Sequence, residues 1–254
     1  TETGARISAT AAPHFKKVSL ELGGKNPNII FDDADMEKAL LGSVRSSFAN
    51  QGQICLCGSR ILIHSSRYER FVESLVSQAQ ALRLGDPLEA QTQQGALVSE
   101  SHRDKIARCV DQAQRDGGEV LCGGSVPEHL PQRCQNGFFY EPTVIAGLPM
   151  EAAANQEEIF GPVVTVTRFE DEEEAIAMAN ATRYGLSASL WTSDGDRARR
   201  VASRIDAGTV WVNCWLLRDL RVPFGGVKHS GIGREGGEEA MRFFTESKTI
   251  CEVS

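Results

Sequence analysis

The chain has 254 residues, 41% hydrophobic and 24% charged, a composition that supports a folded core and argues against disorder. Its net charge of −7, with no cluster of lysine and arginine, argues against a nucleic-acid surface or an anionic membrane as partner. No apolar run approaches the ~20 residues of a membrane span, and no basic-then-apolar leader opens the sequence.

The predicted elements alternate. TETGARI reads as the end of a loop running into a helix. A strand over Val18 to Leu22 runs into Gly23-Gly24, and NPNIIFDD supplies a second short apolar run. Asp35 to Asn50 is predicted helical, with Met36, Ala39, Leu40, Val44, Ser47 and Phe48 roughly on one face and Asp33 or Asp35 as N-cap. A loop from Gln51 to Ser59 follows, then a buried strand RILIH and a helix from Arg67 to Leu84 that GDP stops. Ser101 to Asp116 is helical; EVLCGG and FFYEPTVI are strands. After Pro149 come EEIFGPVVTVTRF, a helix over Glu172 to Ala181, strand SASLWT, a helix over Asp194 to Ile205 and strand GTVWVN. This alternation predicts an α/β fold, a largely parallel sheet covered by helices on both faces. PFGGVKHSGIGREGG holds six glycines in fifteen residues and reads as a backbone-determined loop before a short helix near Ala240. Thr249 to Val253 looks like a strand with no partner nearby in sequence.

The seven cysteines are odd in number and form no Cys-x-x-Cys pair, and no two of the five histidines stand at i, i+4. No metal site is expected, and free thiols in a reducing compartment are. Cys55 lies past a helix in a Gly/Gln/Asn loop, where backbone N–H groups favour a thiolate, or else it is a small apolar residue. Cys57 shares that loop, and an extended Cys-x-Cys would put both sulfurs on one face. Glu21 interrupts an apolar strand before two glycines that permit close backbone approach, so it is either solvent-facing or a general base. Glu158, in QEEIFGP, is a third candidate, or one of two acids at a solvated loop.

ELGGKNP, FANQGQIC and EEIFGPV, in that order, resemble the signature motifs of the NAD(P)-dependent aldehyde dehydrogenase family. PFGGVKHSGIGREGG and FFTESKTI are similar to that family's C-terminal end, so the resemblance runs over essentially the whole chain. It implies that Cys55 is the nucleophile, standing third after the motif's glycine, Gly52, and that Glu21 is the general base. It further implies that Glu158 binds the nicotinamide ribose, that Phe160 packs near the ring and that Leu22 lines the cofactor. The thiolate would add to an aldehyde, the adduct would pass hydride to NAD, and Glu21 would activate water to hydrolyse the thioester. The Cys55 N–H is a candidate donor to the oxyanion.

Family members are substantially longer. Their N-terminal half supplies an oxyanion-hole asparagine and the lysine and glutamate around the adenosine ribose, which have no counterpart here. The expected organisation is residues 1–24 as the tail of the cofactor-binding domain, 25–228 as the catalytic domain, and 229–254 as a C-terminal return segment and oligomerisation strand. The chain reads as a catalytic half, expected to bind NAD poorly alone. A non-catalytic chain kept for assembly is the alternative, and a coenzyme A-acylating enzyme is disfavoured by Glu21. NCWLLRDLRVPFGG resembles the subfamily acting on 2-aminomuconic and 2-hydroxymuconic semialdehydes. That implies Arg218 for a substrate carboxylate, with Trp215 and Phe224 as apolar walls, while Arg221 reads as a surface partner of Asp219. A cytoplasmic homo-oligomer, dimer or tetramer, is the expected setting.

Overall fold

A computed structural model describes residues 1–254. In chain order the elements are α1 (Glu2–Ala11), β1 (Leu20–Glu21), β2 (Pro27–Ile30), α2 (Met36–Phe48), β3 (Arg60–His64), α3 (Tyr68–Gln80), α4 (Glu100–Arg115), β4 (Glu119–Cys122) and β5 (Thr143–Ala146). They continue with α5 (Ala153–Gln156), β6 (Val163–Phe169), α6 (Glu172–Asn180), β7 (Tyr184–Gly185), β8 (Ser187–Trp191), α7 (Gly195–Ala202), β9 (Thr209–Val212), β10 (Val227–Lys228), β11 (Gly231–Ile232) and α8 (Gly237–Phe244).

Seven strands form one sheet in the order β4-β5-β6-β3-β2-β8-β9, parallel throughout except for the antiparallel edge strand β4. The near-continuous apolar strands are those of a sheet buried on both faces. Alternate residues of β3 show it: Ile61 and Ile63 pack under α2 and α3, while Leu62 packs with α6 and α7 on the other face. A third cluster under α4 and α5 joins Ile106, Val110, Ile145 and Ile159. Helix starts follow the sequence. Asp35 accepts the Lys38 N–H, Ser99 that of His102, Asp171 that of Glu174, and Asp194 those of Asp196 and Arg197.

Arg60 is 1% exposed, and its guanidinium donates to the carbonyls of Lys25, Met178 and Ala179 at 3.0, 2.7 and 2.8 Å. It thereby caps the C-terminal turn of α6 with a buried positive charge, where orphan carbonyls favour a cation.

Four expectations change. α1 begins at Glu2, so TETGARI is helix rather than loop end. The strand expected over Val18 to Leu22 shortens to β1, which pairs antiparallel with β11 instead of entering the main sheet. Of FFYEPTVI only the residues after Pro142 form β5, since proline cannot donate to a ladder. Thr249 to Val253 forms no strand, because a strand needs a hydrogen-bonding neighbour and this exposed segment has none in the chain.

Candidate active site

The signature segments meet at the amino-terminal ends of adjacent parallel strands. Glu21 to Asn26 leads into β2, Cys55 into β3, Glu158 and Phe160 into β6, and Ser187 opens β8. Residues 213–224, beyond β9, fold back onto the same place.

Close backbone approach brings them together. Gly52 has φ +69°, and a Cβ there would lie 2.0 Å from the Gly161 carbonyl oxygen, so only glycine lets the cysteine loop touch the EEIFGP loop. Gly23 lies against the Glu158 carboxylate, 2.2 Å from Oε2 to a Cβ position, and the Gly24 N–H donates to Oε1 at 3.0 Å. The C-terminal glycine-rich loop locks β1 in place. Glu21 pairs with Gly231, and buried Ser230 donates to the Gly23 carbonyl at 2.7 Å while accepting from the Gly185 N–H at 2.9 Å.

Cys55 and Cys57 do not share a face. The Cys57 N–H returns to the Ile54 carbonyl at 2.9 Å, so the segment is a turn rather than an extended dipeptide step. The turn sends the two thiols apart. Cys57 is 6% exposed, with its sulfur 4.0 Å from the Ala49 carbonyl. Cys55 is half-buried and faces the Glu21 carboxyl. Their contact is looser than a well-formed hydrogen bond, and the buried Oε1 of Glu21 has no partner.

The electrostatics follow from that pairing. Burial, then the negative charge of Glu21, pushes the Cys55 thiol up to about 12. Burial also raises the Glu21 carboxyl; the Cys55 thiol and the Arg218 guanidinium pull it down, and Glu235 and Glu158 push it up. Glu158 is raised by burial and eased by the Gly24 N–H, Lys105 and Lys25. The Cys55 backbone N–H makes no hydrogen bond within the chain and remains available as a donor.

The other sequence candidates fall around this pair. Phe160 is 36% exposed at φ +60°, a left-handed backbone that strains a non-glycine residue, and its carbonyl meets His102 Nε2 at 2.6 Å. Leu22 packs on Gly4 of α1, and its N–H donates to the Ser230 carbonyl at 2.9 Å. Arg218 is exposed, stacks over Phe224 at 4.4 Å, and has no carboxylate partner. Arg221 is paired with Asp219, Nε to Oδ1 at 2.9 Å. Trp215 is 7% exposed in a cluster with Leu56, Leu186 and Trp211.

Sequence reasoning passed over Asn26, Ser230 and Glu235. Asn26 is 3% exposed at the start of an apolar strand, and a polar residue there was its one signal. Ser230 and Glu235 stand in a loop whose glycines announced its character but not its address. Lys25 is 1% exposed with no partner for Nζ, and burial, reinforced by Arg60, lowers it to about 7.

A model of the aldehyde dehydrogenase family matches residues 1–250. The chain belongs to that family. It is 51% identical over 251 residues to 2-aminomuconic semialdehyde dehydrogenase of Danio rerio, covering 98% of this chain and 52% of the relative. It is 47% identical over 251 residues to 2-hydroxymuconic semialdehyde dehydrogenase of Pseudomonas putida, covering 99% and 51%. Betaine aldehyde dehydrogenase of Staphylococcus aureus, a double mutant solved in complex with NAD+, superposes with a TM-score of 0.95 at 42% identity, covering 97% of this chain and 50% of that one. The chain thus spans about half the length of the curated relatives it matches.

Proposed function

We propose that this chain carries the catalytic apparatus for oxidising an aldehyde to its acid with NAD, through a thiohemiacetal and a thioester on Cys55. The single observation that carries this reading is the half-buried Cys55 thiol facing the raised carboxyl of Glu21, with an unpaired backbone N–H at Cys55 itself. A scaffold kept only for assembly has no use for that juxtaposition.

The thiol proton passes to Glu21 as Sγ bonds to the aldehyde carbon, and the carbonyl electron pair moves to oxygen. The Cys55 N–H is the chain's own donor to that oxyanion. NAD, when bound, supplies the hydride acceptor that this carbon requires. Hydrolysis then needs a base for water: Glu21 releases the thiol proton to solvent, takes a proton from water as a carboxylate, hydroxide adds to the thioester carbon, and the Cys55 thiolate leaves. A carboxyl raised by burial suits this work, since it is a stronger proton acceptor than an exposed one.

The residues present fit the nicotinamide end of the cofactor. Glu158 is held by the Gly24 N–H on one oxygen, with Gly23 offering a surface that a side chain would fill, and the exposed Phe160 ring stands two residues on. Glu158, Phe160 and Leu22 would hold that part of the molecule.

The substrate class we assign is a semialdehyde bearing a remote carboxylate, of the 2-aminomuconic or 2-hydroxymuconic type. Support comes from Arg218, whose charge reaches Glu21 and whose guanidinium has no acidic partner, and from the names of the relatives above. The exposed Ile250 and Val253 support a C-terminal segment that adds to a neighbouring copy's sheet, giving a homo-oligomer. Seven free thiols support a reducing, cytoplasmic setting.

The test is NADH formation from 2-hydroxymuconic semialdehyde, beside Cys55→Ser. Turnover that disappears in the variant supports the reading; turnover that persists refutes Cys55 as nucleophile. In the complete enzyme Arg218→Ala is expected to weaken semialdehyde acids far more than simple aliphatic aldehydes, and equal losses would discard the carboxylate assignment.

A further inference from the structure

Three consecutive carbonyls around the nucleophile are each held by a side chain from elsewhere in the fold. Asn26 Nδ2 donates to the Cys55 carbonyl at 2.8 Å and to the Cys57 carbonyl at 2.8 Å. The Trp215 indole N–H donates to the Leu56 carbonyl, between them, at 2.9 Å. Asn26 is itself anchored, its Oδ1 accepting the Ser187 N–H of β8 at 3.1 Å. A Cβ at Gly24 would fall 2.7 Å from Asn26 Oδ1 and 2.8 Å from the Cys55 carbonyl, so the clamp depends on glycine there.

We propose that Asn26 and Trp215 are positioning residues for the nucleophile, a carbonyl clamp that aims the Cys55 N–H and thiol at one point and ties that aim to the Arg218-bearing loop. The inference deepens the reading of Cys55 as nucleophile and rests on it. The backbone entering Cys55 is set by the left-handed run Asn50, Gln51 and Gly52, and the backbone leaving it is set by the clamp. Between the two, the Cys55 N–H is left without a partner. A donor aimed before the reaction stabilises an oxyanion without reorganising when charge develops. Trp215 lies three residues before Arg218, so a substrate carboxylate that orders this loop also orders the peptide at Leu56.

The clamp predicts a difference between two reactions of the same sulfur. Iodoacetamide alkylates a thiolate by displacement of iodide, with no oxyanion. p-Nitrophenyl acetate acylates the thiol through a tetrahedral oxyanion: the thiol proton goes to Glu21 as the S–C bond forms, the C–O bond breaks, and p-nitrophenolate leaves. Trp215→Phe keeps the ring in its cluster and removes only the donor. It is expected to slow acylation on the order of tenfold while alkylation of Cys55 changes less than about twofold. Asn26→Asp, which retains the acceptor for Ser187 and loses the donor to both carbonyls, is expected to show the same separation or a larger one. Trp211→Phe is the control, since it too loses an indole donor from this cluster, but one directed to the Leu217 carbonyl; its ratio of acylation to alkylation is expected to match the parent.

Peptide mapping assigns each rate to Cys55, and a thermal midpoint shows that each variant is folded. Equal fold-changes in the two reactions, or unchanged acylation in a folded Trp215→Phe, overturn the clamp. Acylation that survives Cys55→Ser overturns the nucleophile reading instead, so the two failures are told apart.

Discussion

Glu21→Gln should make Cys55 more reactive toward a simple alkylating agent, although Glu21 is the proposed base. The Cys55 thiol is pushed up to about 12, first by burial and then by the facing carboxylate. Glutamine keeps the size and the burial and removes only the negative charge. A unit charge at ~4 Å is worth ~4 kcal/mol at the effective dielectric of a protein surface. Both groups are half-exposed, so solvent screens that value, and about one pKa unit, or ~1.4 kcal/mol, is the reasonable residue. The thiol pKa falls by that amount, and the thiolate fraction well below it rises about tenfold.

The sign depends on pH in a way that identifies the cause. Glu21 opposes the thiolate only while it is ionised. Its own pKa is raised, so the advantage of the glutamine variant should be full in mildly alkaline solution and should vanish as pH falls through that raised carboxyl range. The assay is the iodoacetamide rate constant at Cys55, followed by peptide mass across pH for parent and variant. A variant that alkylates no faster than the parent at ~pH 9 would refute the electrostatic argument. So would an enhancement that stays constant into acid. Acylation by p-nitrophenyl acetate should move the other way, because it needs the proton acceptor as well.

Four substitutions test the frame. Gly52→Ala forces a Cβ within 2.0 Å of the Gly161 backbone oxygen at φ +69°, and should cost ~2–4 kcal/mol from strain and overpacking together. Gly117→Ala, at φ +94° with nothing within 4 Å, should cost only the ~1 kcal/mol of strain, and denaturant unfolding of both checks the difference. Arg60→Met removes three charge-assisted hydrogen bonds, each worth ~1.5–3 kcal/mol, and offsets part of that by no longer burying a cation. A net loss of ~2–4 kcal/mol and a thermal midpoint lower by ~5–15 °C follow. Gly23→Ala meets only the movable end of Glu158, so the midpoint should hold within ~3 °C while the NAD affinity of the complete enzyme by calorimetry falls about tenfold.

Periodicity and caps made most of the sheet legible. RILIH, VVTVTRF and SASLWT are strands because short segments rich in apolar and β-branched residues, buried over most of their length, suit a sheet covered on both sides. Asp35 announced its helix for a local reason, a carboxylate beside orphan N–H groups, and Asp171 and Asp194 cap theirs in the structure in the same way. Strand boundaries failed where the partner decides them. β1 keeps two residues because β11, some two hundred positions away, offers only two, and Thr249 to Val253 has no partner to make it a strand. Arg60 was invisible in the same way: in RILIH it reads as the polar start of a strand, and only the packing of α6 above it shows a buried cap.

The candidate site divides along the same line. Cys55 and Glu21 stand out because each breaks its local pattern, a thiol in a glycine-bearing loop and an acid in an apolar strand. What makes them a pair is not local at all. Glycines at 24, 52 and 231 let backbones approach to distances that any side chain would forbid, and the strain this requires collects at Asn50, Gln51 and Phe160, all in left-handed conformations beside the site. A sequence displays such glycines as loop markers. Their contacts across the site are with residues 31 to 211 positions distant, from Gly24 with Cys55 to Gly231 with Leu20. The same holds for the clamp on the Cys55 turn, where an asparagine before a strand and a tryptophan after another each satisfy a carbonyl that neither could be matched to from its own neighbourhood. The reactive groups are therefore legible as exceptions to local pattern, whereas the aim that makes them reactive is written in long-range contacts, and those are where substitution is expected to separate chemistry from stability.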